Sequence, residues 1–212
     1  MTNTNNSPET GQILDLASTL MNKSKFNEAI EALEKAAEID PKNRSVLDRV
    51  IICNLELKRP KKALEAMNSI LTLDPKASRI WADKAYLHFL LNEESEGIRA
   101  LQQSLKLNPR NQNDWYLLGT AYMTFENWVE AREAFHNAIQ LNPNSSITWY
   151  NLAACNYVLG DVGAALGAAE QAFAIDPILE SLSDDWIDDL REEYDLLSDS
   201  ELSFDNAFSA GS

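Results

Sequence analysis

Five of the seven prolines stand at one fixed interval: Pro41, Pro75, Pro109, Pro143 and Pro177 are each 34 residues apart. Each closes the same kind of tripeptide: Ile39-Asp40-Pro41, Leu73-Asp74-Pro75, Leu107-Asn108-Pro109, Leu141-Asn142-Pro143 and Ile175-Asp176-Pro177. Shared residue type at shared spacing marks an internal repeat. A repeat of this length implies a row of similar units that bury apolar surface against their neighbours. The units run over residues 10–43, 44–77, 78–111, 112–145 and 146–179.

Other places agree with that register. The fourth place holds Ile13, Leu47, Trp81, Trp115 and Trp149, and the twenty-fourth holds Leu33, Met67, Leu101, Phe135 and Ala169. The eighth holds Ala17, Ile51, Ala85, Gly119 and Ala153, and the twentieth holds Ala29, Ala63, Gly97, Ala131 and Ala165. The spacing predicts two amphipathic helices per unit: Trp115, Leu118, Gly119 and Tyr122 share one helical face, and Ala131, Phe135 and Ala138 share another. Small residues at the eighth and twentieth places let the two backbones approach closely. The helices are joined by polar turns such as Glu126-Asn127 and Gly160-Asp161. The closing Asp/Asn-Pro ends the second helix, because the residue before proline is driven out of helical geometry. Pro60 falls at the start of a predicted second helix, where a missing N–H is harmless.

Beyond the repeats, Trp186, Leu190, Tyr194 and Leu197 form one stripe. They predict an acidic amphipathic helix over 180–197 that docks on the last unit and caps the array, with Ser183 as N-cap and Asp184 and Asp185 in its first turn. Residues 1–9 are expected to be a disordered N-terminus and 198–212 a mobile acidic tail carrying Phe204 and Phe208. Ser198 and Ser200 in that tail are candidate phosphate acceptors.

The formal charge of −15 is unevenly spread. Residues 1–110 hold 16 basic and 15 acidic residues; residues 111–212 hold 2 and 18. This balance opposes phosphate-backbone binding, so no nucleic-acid partner is expected. The basic run Lys58-Arg59-Pro60-Lys61-Lys62 reads as a solvated turn, or as a contact for an acidic partner or for the chain's own acidic end. Apolar runs fall far short of the roughly 20 residues a membrane helix needs, so no membrane insertion is expected. The first ten residues lack a secretory pattern, and the expected location is cytoplasmic.

No catalytic, cofactor-binding or metal-binding residues are identified, and no enzyme is expected. His88 and His136 lie 48 residues apart and read as a core and a surface histidine. Cys53 and Cys155 occupy the same place in units two and five and read as small buried hydrophobes. No phosphate-cradling or dinucleotide motif is present in the sequence.

The fourth unit carries Trp115, Leu118, Gly119, Tyr122, Ala131, Phe135 and Pro143 in the pattern W-x2-L-G-x2-Y, A-x3-F, P. In this the chain resembles the tetratricopeptide repeat (TPR) family. Departures are Ile51 and Asn54 in the second unit, Lys84 and His88 in the third and Asn156 in the fifth. The resemblance implies an all-α, right-handed superhelical solenoid of five helix-turn-helix repeats plus the C-terminal capping helix. It also implies a concave groove, lined by first helices, that binds a peptide or helix. Its inward places are the second, fifth, ninth and twelfth. The candidate groove residues are Arg79, Tyr86, Phe89, Asn113, Tyr116, Thr120, Met123, Tyr150 and Tyr157.

The implied function is a non-enzymatic protein-interaction scaffold or assembly factor with a protein or peptide partner. The alternative is a regulatory or substrate-presenting subunit whose groove is autoinhibited by its own acidic C-terminal tail. Chaperone adaptors of the family clamp a C-terminal carboxylate with a Lys and an Asn at the fifth and ninth places of one unit. Here those places hold Leu14 and Ser18, Asp48 and Ile52, or Ala82 and Tyr86, so a chaperone tail is not an expected partner.

Overall fold

A computed structural model describes residues 7–183 and 186–209. Among them every element is a helix, and the helices follow the 34-residue register: α1 Pro8–Asn22, α2 Phe26–Ile39, α3 Arg44–Glu56, α4 Pro60–Leu73, α5 Ser78–Leu90, α6 Glu94–Leu107, α7 Gln112–Thr124, α8 Trp128–Leu141, α9 Ser146–Val158 and α10 Val162–Ile175. Two shorter-range departures follow, α11 Ile178–Leu182 and α12 Trp186–Ser209. The chain forms two compact units, Met1–Asn108 and Pro109–Ser212. Within each, the two helices of a repeat pack on one another and on the next repeat.

The turn between paired helices is the same in every repeat. Its pivot residue sits in the left-handed region: Ser24, Lys58, Asn92, Glu126 and Gly160, with φ between 55° and 76°. The N–H of the following residue reaches back to a carbonyl five residues earlier, as in Lys25 to Leu20 (2.9 Å) and Asn127 to Tyr122 (2.9 Å). This is the Schellman ending of a helix, which satisfies carbonyls left open by the last turn. Four of the five pivots carry a side chain, so the paired helices hold the turn open against a local preference for glycine.

The Asp/Asn-Pro closure works as the sequence predicts and adds a bond. Asp40, Asp74, Asn142 and Asp176 each accept from the backbone N–H two residues on, at 3.0–3.3 Å. Short polar side chains suit this turn for that reason. The fourth-place tryptophans lock the same corner: Trp81, Trp115 and Trp149 donate their indole N–H to the carbonyls of Pro75, Pro109 and Pro143 at 2.9–3.0 Å.

The core confirms the size pairing. Ala17, Ala29, Ala63, Ala85, Ala131, Ala153 and Ala165 are fully buried, as is Phe135. Where a small place holds glycine, an aromatic ring occupies the space: a Cβ on Gly119 would lie 2.7 Å from Phe135, and one on Gly97 would lie 2.5 Å from Phe89. In the second repeat Asn54 replaces the usual aromatic. Its Nδ2 donates to the Val50 carbonyl (2.9 Å), its buried Oδ1 has no partner among the described residues, and a cleft of about 330 Å³ opens beside it.

Both ends differ from expectation. Helix α1 begins at Pro8, inside the segment expected to be disordered, because Ser7 caps it by accepting from Thr10 N–H (3.1 Å) and Pro8 suits the first helical turn. Residues 1–6 lie outside the described ones. At the other end a single capping helix over 180–197 is replaced by α11 and α12, and α12 runs on to Ser209. No Gly or Pro interrupts residues 186–209, so nothing in the chain stops it earlier. The Ser183 hydroxyl donates to the Glu180 carbonyl (2.7 Å) at the end of α11. Asp184 and Asp185, residues 210–212 and the side chains of 198–209, Ser198, Ser200, Phe204 and Phe208 among them, lie outside the described ones.

Candidate functional site

The expected groove residues fall on the first helices of three repeats, in two separate units. On α5, Arg79 extends into solvent, with only a long 3.9 Å ion pair to Asp83. Tyr86 is 61% exposed. Phe89 is half-buried, its ring lying on Gly97 of its own repeat, so it is partly a packing residue.

On α7, Asn113 and Thr120 are exposed, and the Thr120 hydroxyl is held by the Tyr116 carbonyl at 3.0 Å. Tyr116 and Met123 are half-buried against the core, with the Tyr116 ring 6.0 Å from that of Phe135.

On α9 the picture differs most from expectation. Tyr150 and Tyr157 both meet Trp186 of α12, at ring separations of 5.8 and 5.3 Å. The Trp186 indole donates to the Tyr150 hydroxyl (3.3 Å), and the other flank of Tyr150 meets Phe173 at 6.5 Å. Offset and edge contacts of this kind stabilise beyond simple burial.

Helix α12 is docked by Ile187 and Leu190, both buried, and by half-buried Trp186. They meet an alanine-lined face of α10 containing Ala165, Ala168, Ala169 and Ala172. Arg191 ties this end together through Glu180 (2.6 Å) and Asp188 (3.3 Å), and the hydrogen bond to Glu180 raises its already high pKa further. The buried stripe is therefore Trp186, Ile187 and Leu190. Tyr194 and Leu197, expected to share it, are exposed.

Three exposed apolar residues belong to the first-helix face although they were not among the candidates, one of them Ile147, 44% exposed, at the second place of the fifth repeat. Ile52 and Leu55, 47% and 40% exposed, sit at the ninth and twelfth places of the second repeat, where Tyr86 and Phe89 sit in the third. The repeat register carries that signal.

His88 is nearly buried, and its Nδ1 bonds Glu93 Oε2 at 2.7 Å; His136 is exposed. Cys53 and Cys155 are buried free thiols. Burial pushes the Cys155 thiol up to about 11 against the opposing pull of Arg132, and raises Cys53 with help from Glu56. The basic turn Lys58, Arg59, Lys61 and Lys62 is exposed. Among the described residues no cluster of metal-ligating side chains forms, and no helix is long and apolar enough to cross a membrane.

Tetratricopeptide-repeat sequence profiles match residues 20–87 in one case and 83–135 and 116–177 in another. The chain belongs to the tetratricopeptide-repeat family. Solved structures of this family share its fold. A crystal structure of MamA is 22% identical with a TM-score of 0.70, covering 80% of this chain and 92% of that one. MamA from residue 41 to its end, from Desulfovibrio magneticus RS-1, is 18% identical with a TM-score of 0.67, covering 84% and 99%. YrrB, a TPR protein with an unusual peptide-binding site, is 16% identical with a TM-score of 0.65, covering 78% and 85%. No curated protein matches the sequence.

Proposed function

We propose that this TPR protein is a non-enzymatic interaction scaffold that binds a peptide or helix on its first-helix faces, with the main contact in the second and third repeats. The observation that carries this reading is the exposure of Ile52, Leu55 and Tyr86 at recurring places of α3 and α5. Large apolar side chains in solvent mark interaction surfaces when they recur on one face, and tyrosine is enriched among residues that dominate binding. Arg79 adds an exposed cation to that face, suited to an acidic residue of the partner. Asn113, Tyr116, Thr120 and Met123 offer a more polar surface in the fourth repeat. YrrB, with its peptide-binding site, lends support by analogy of fold.

The test is a peptide library selected on the full chain, followed by titration of the selected peptides onto Ile52→Ser/Tyr86→Ala. Loss of two anchoring side chains is expected to weaken binding at least about tenfold. Unchanged affinity in a folded double variant contradicts the reading.

A second reading has its own observation. Trp186 meets Tyr150 edge-on and Tyr157 at a tilt, so one side chain of the C-terminal helix covers part of two candidate groove rings while the helix itself packs on α10. Here α12 acts as a built-in ligand that closes one end of the array and that a partner displaces. Under this reading Trp186→Ala exposes a fifth-repeat site and increases peptide binding there.

A further inference from the structure

The third repeat departs from its neighbours at two places. The seventh place holds Leu16, Val50, Leu118 and Leu152 in the other repeats and Lys84 here; the eleventh holds Leu20, Asn54, Tyr122 and Asn156 in the others and His88 here. With Trp81 these residues are spaced 3 and 4 along α5 and share one stripe. At 100° per residue that stripe lies on the opposite side of α5 from Arg79 and Tyr86. It forms one wall of a cleft of about 590 Å³, whose other wall is Glu96, Arg99 and Gln103 of α6. Two unusual residues and a cleft coincide, and all lie within one compact unit.

The charges in the cleft are unequally matched. Arg99 is ion-paired with Glu96, and His88 is bonded to Glu93 at 2.7 Å. Lys84 is different. Its Nζ donates to the Asn68 amide oxygen of α4 (2.8 Å) and lies 5.2 Å from the centre of the Trp81 ring. It enters none of the ion pairs among the described residues. Burial, with no opposing carboxylate, lowers its pKa. This half-buried ammonium is held by a neutral amide and a ring face at the open mouth of the cleft, and an anion entering there supplies the charge-assisted partner that no described carboxylate provides.

We propose that the cleft between α5 and α6 is an oxyanion-binding site, taking a carboxylate or a phosphate, with Lys84 as the anchoring cation. Trp81 fixes the Lys84 stem, and its own indole N–H is fixed on the Pro75 carbonyl (3.0 Å). Arg99 closes the outer rim by exchanging Glu96 for the ligand. The site is separate from the peptide face and stands whether or not that face binds peptide.

The experiment titrates tri-glutamate and, separately, inorganic phosphate onto the full chain at constant ionic strength. It follows the Trp81 indole and the amides of residues 81–103 by two-dimensional NMR. Saturable shifts confined to this region are expected with at least one probe. Tri-glutamate alone identifies a protein carboxylate as the ligand, phosphate alone a free phosphate, and both a general oxyanion site. Lys84→Leu places here the residue that Leu118 and Leu152 provide in other repeats, so its thermal unfolding should match or exceed the wild type. Its affinity should fall at least about tenfold, the loss expected for one charged hydrogen bond, while Lys84→Arg should retain most of it. No saturable shift with either probe overturns the proposal, as does equal affinity in a folded Lys84→Leu variant.

Discussion

Residues 1–108 and 109–212 use one repeat pattern and finish their first-helix faces differently. In the first unit the ninth place presents Ile52 and Tyr86 to solvent. In the second it holds Thr120 and Ala154, Tyr116 and Tyr150 are half-buried against Phe135, Phe173 and Trp186, and the apolar exposure is left to Ile147 and to Tyr157 beside Trp186. Charge divides the same way. The first unit holds equal numbers of basic and acidic residues, 15 of each, so the whole charge of −15 resides in the second. A repeat array can therefore separate roles along its length without changing its backbone, because each unit is stabilised mainly by its neighbours. The first unit keeps an apolar face and a cation-lined cleft; the second supplies aromatic packing, a cap and the negative charge.

Several substitutions press on that contrast. The largest effect is expected from Trp186→Ala, which removes the ring shared by Tyr150 and Tyr157. A half-buried tryptophan should cost about 2–3 kcal/mol in urea denaturation, below the range for a fully buried one. Nitration of Tyr150 should accelerate while that of Tyr86 stays unchanged. If Tyr150 reacts at the wild-type rate, the docked position of α12 is wrong.

Next come the two glycines under rings. Phe135 is fully buried and has nowhere to move, so Gly119→Ala should destabilise by about 1–2 kcal/mol even after the helix-forming advantage of alanine. Phe89 is half-buried and can swing outward, so Gly97→Ala should fall within about 0.5 kcal/mol of the wild type. Equal effects at the two sites would mean that the second unit is no more tightly filled than the first.

A change of the opposite sign is expected in the second repeat. Asn54→Leu replaces a buried amide with an unpartnered oxygen by the residue found at the same place in the first repeat, Leu20. It should raise the unfolding free energy by about 1 kcal/mol. A loss of stability would show that the Asn54 oxygen is satisfied in solution.

The helix pairs, their closures and the small-against-large core were legible from the spacing of the prolines and the fourth, eighth, twentieth and twenty-fourth places. Each depends on contacts within a repeat or between adjacent ones, which recur with the sequence. The pivots of the turns were less legible: Ser24, Lys58, Asn92 and Glu126 share a conformation but no chemistry, and only Gly160 announces it. The docking of α12 was legible as an event but not in its phase. Leu190 was expected and buried, yet its stripe turns toward Ile187 instead of Tyr194 and Leu197, because the alanine face of α10 sets how the helix lies. That docking decides which candidate groove residues stay open. Tyr150 met the sequence criterion and is half-buried beside Trp186 and Phe173, and Tyr157 keeps 36% exposure beside Trp186, whereas Ile52 and Leu55 occupy the same kind of places with 47% and 40% exposure.

The central claim is that the open peptide face belongs to the first unit. It is tested most directly by placing a photo-crosslinking residue in a library-selected peptide and mapping its attachment on the full chain by mass spectrometry. The account predicts adducts on α3 and α5, around Ile52, Leu55 and Tyr86. Adducts confined to α7 and α9 would contradict it.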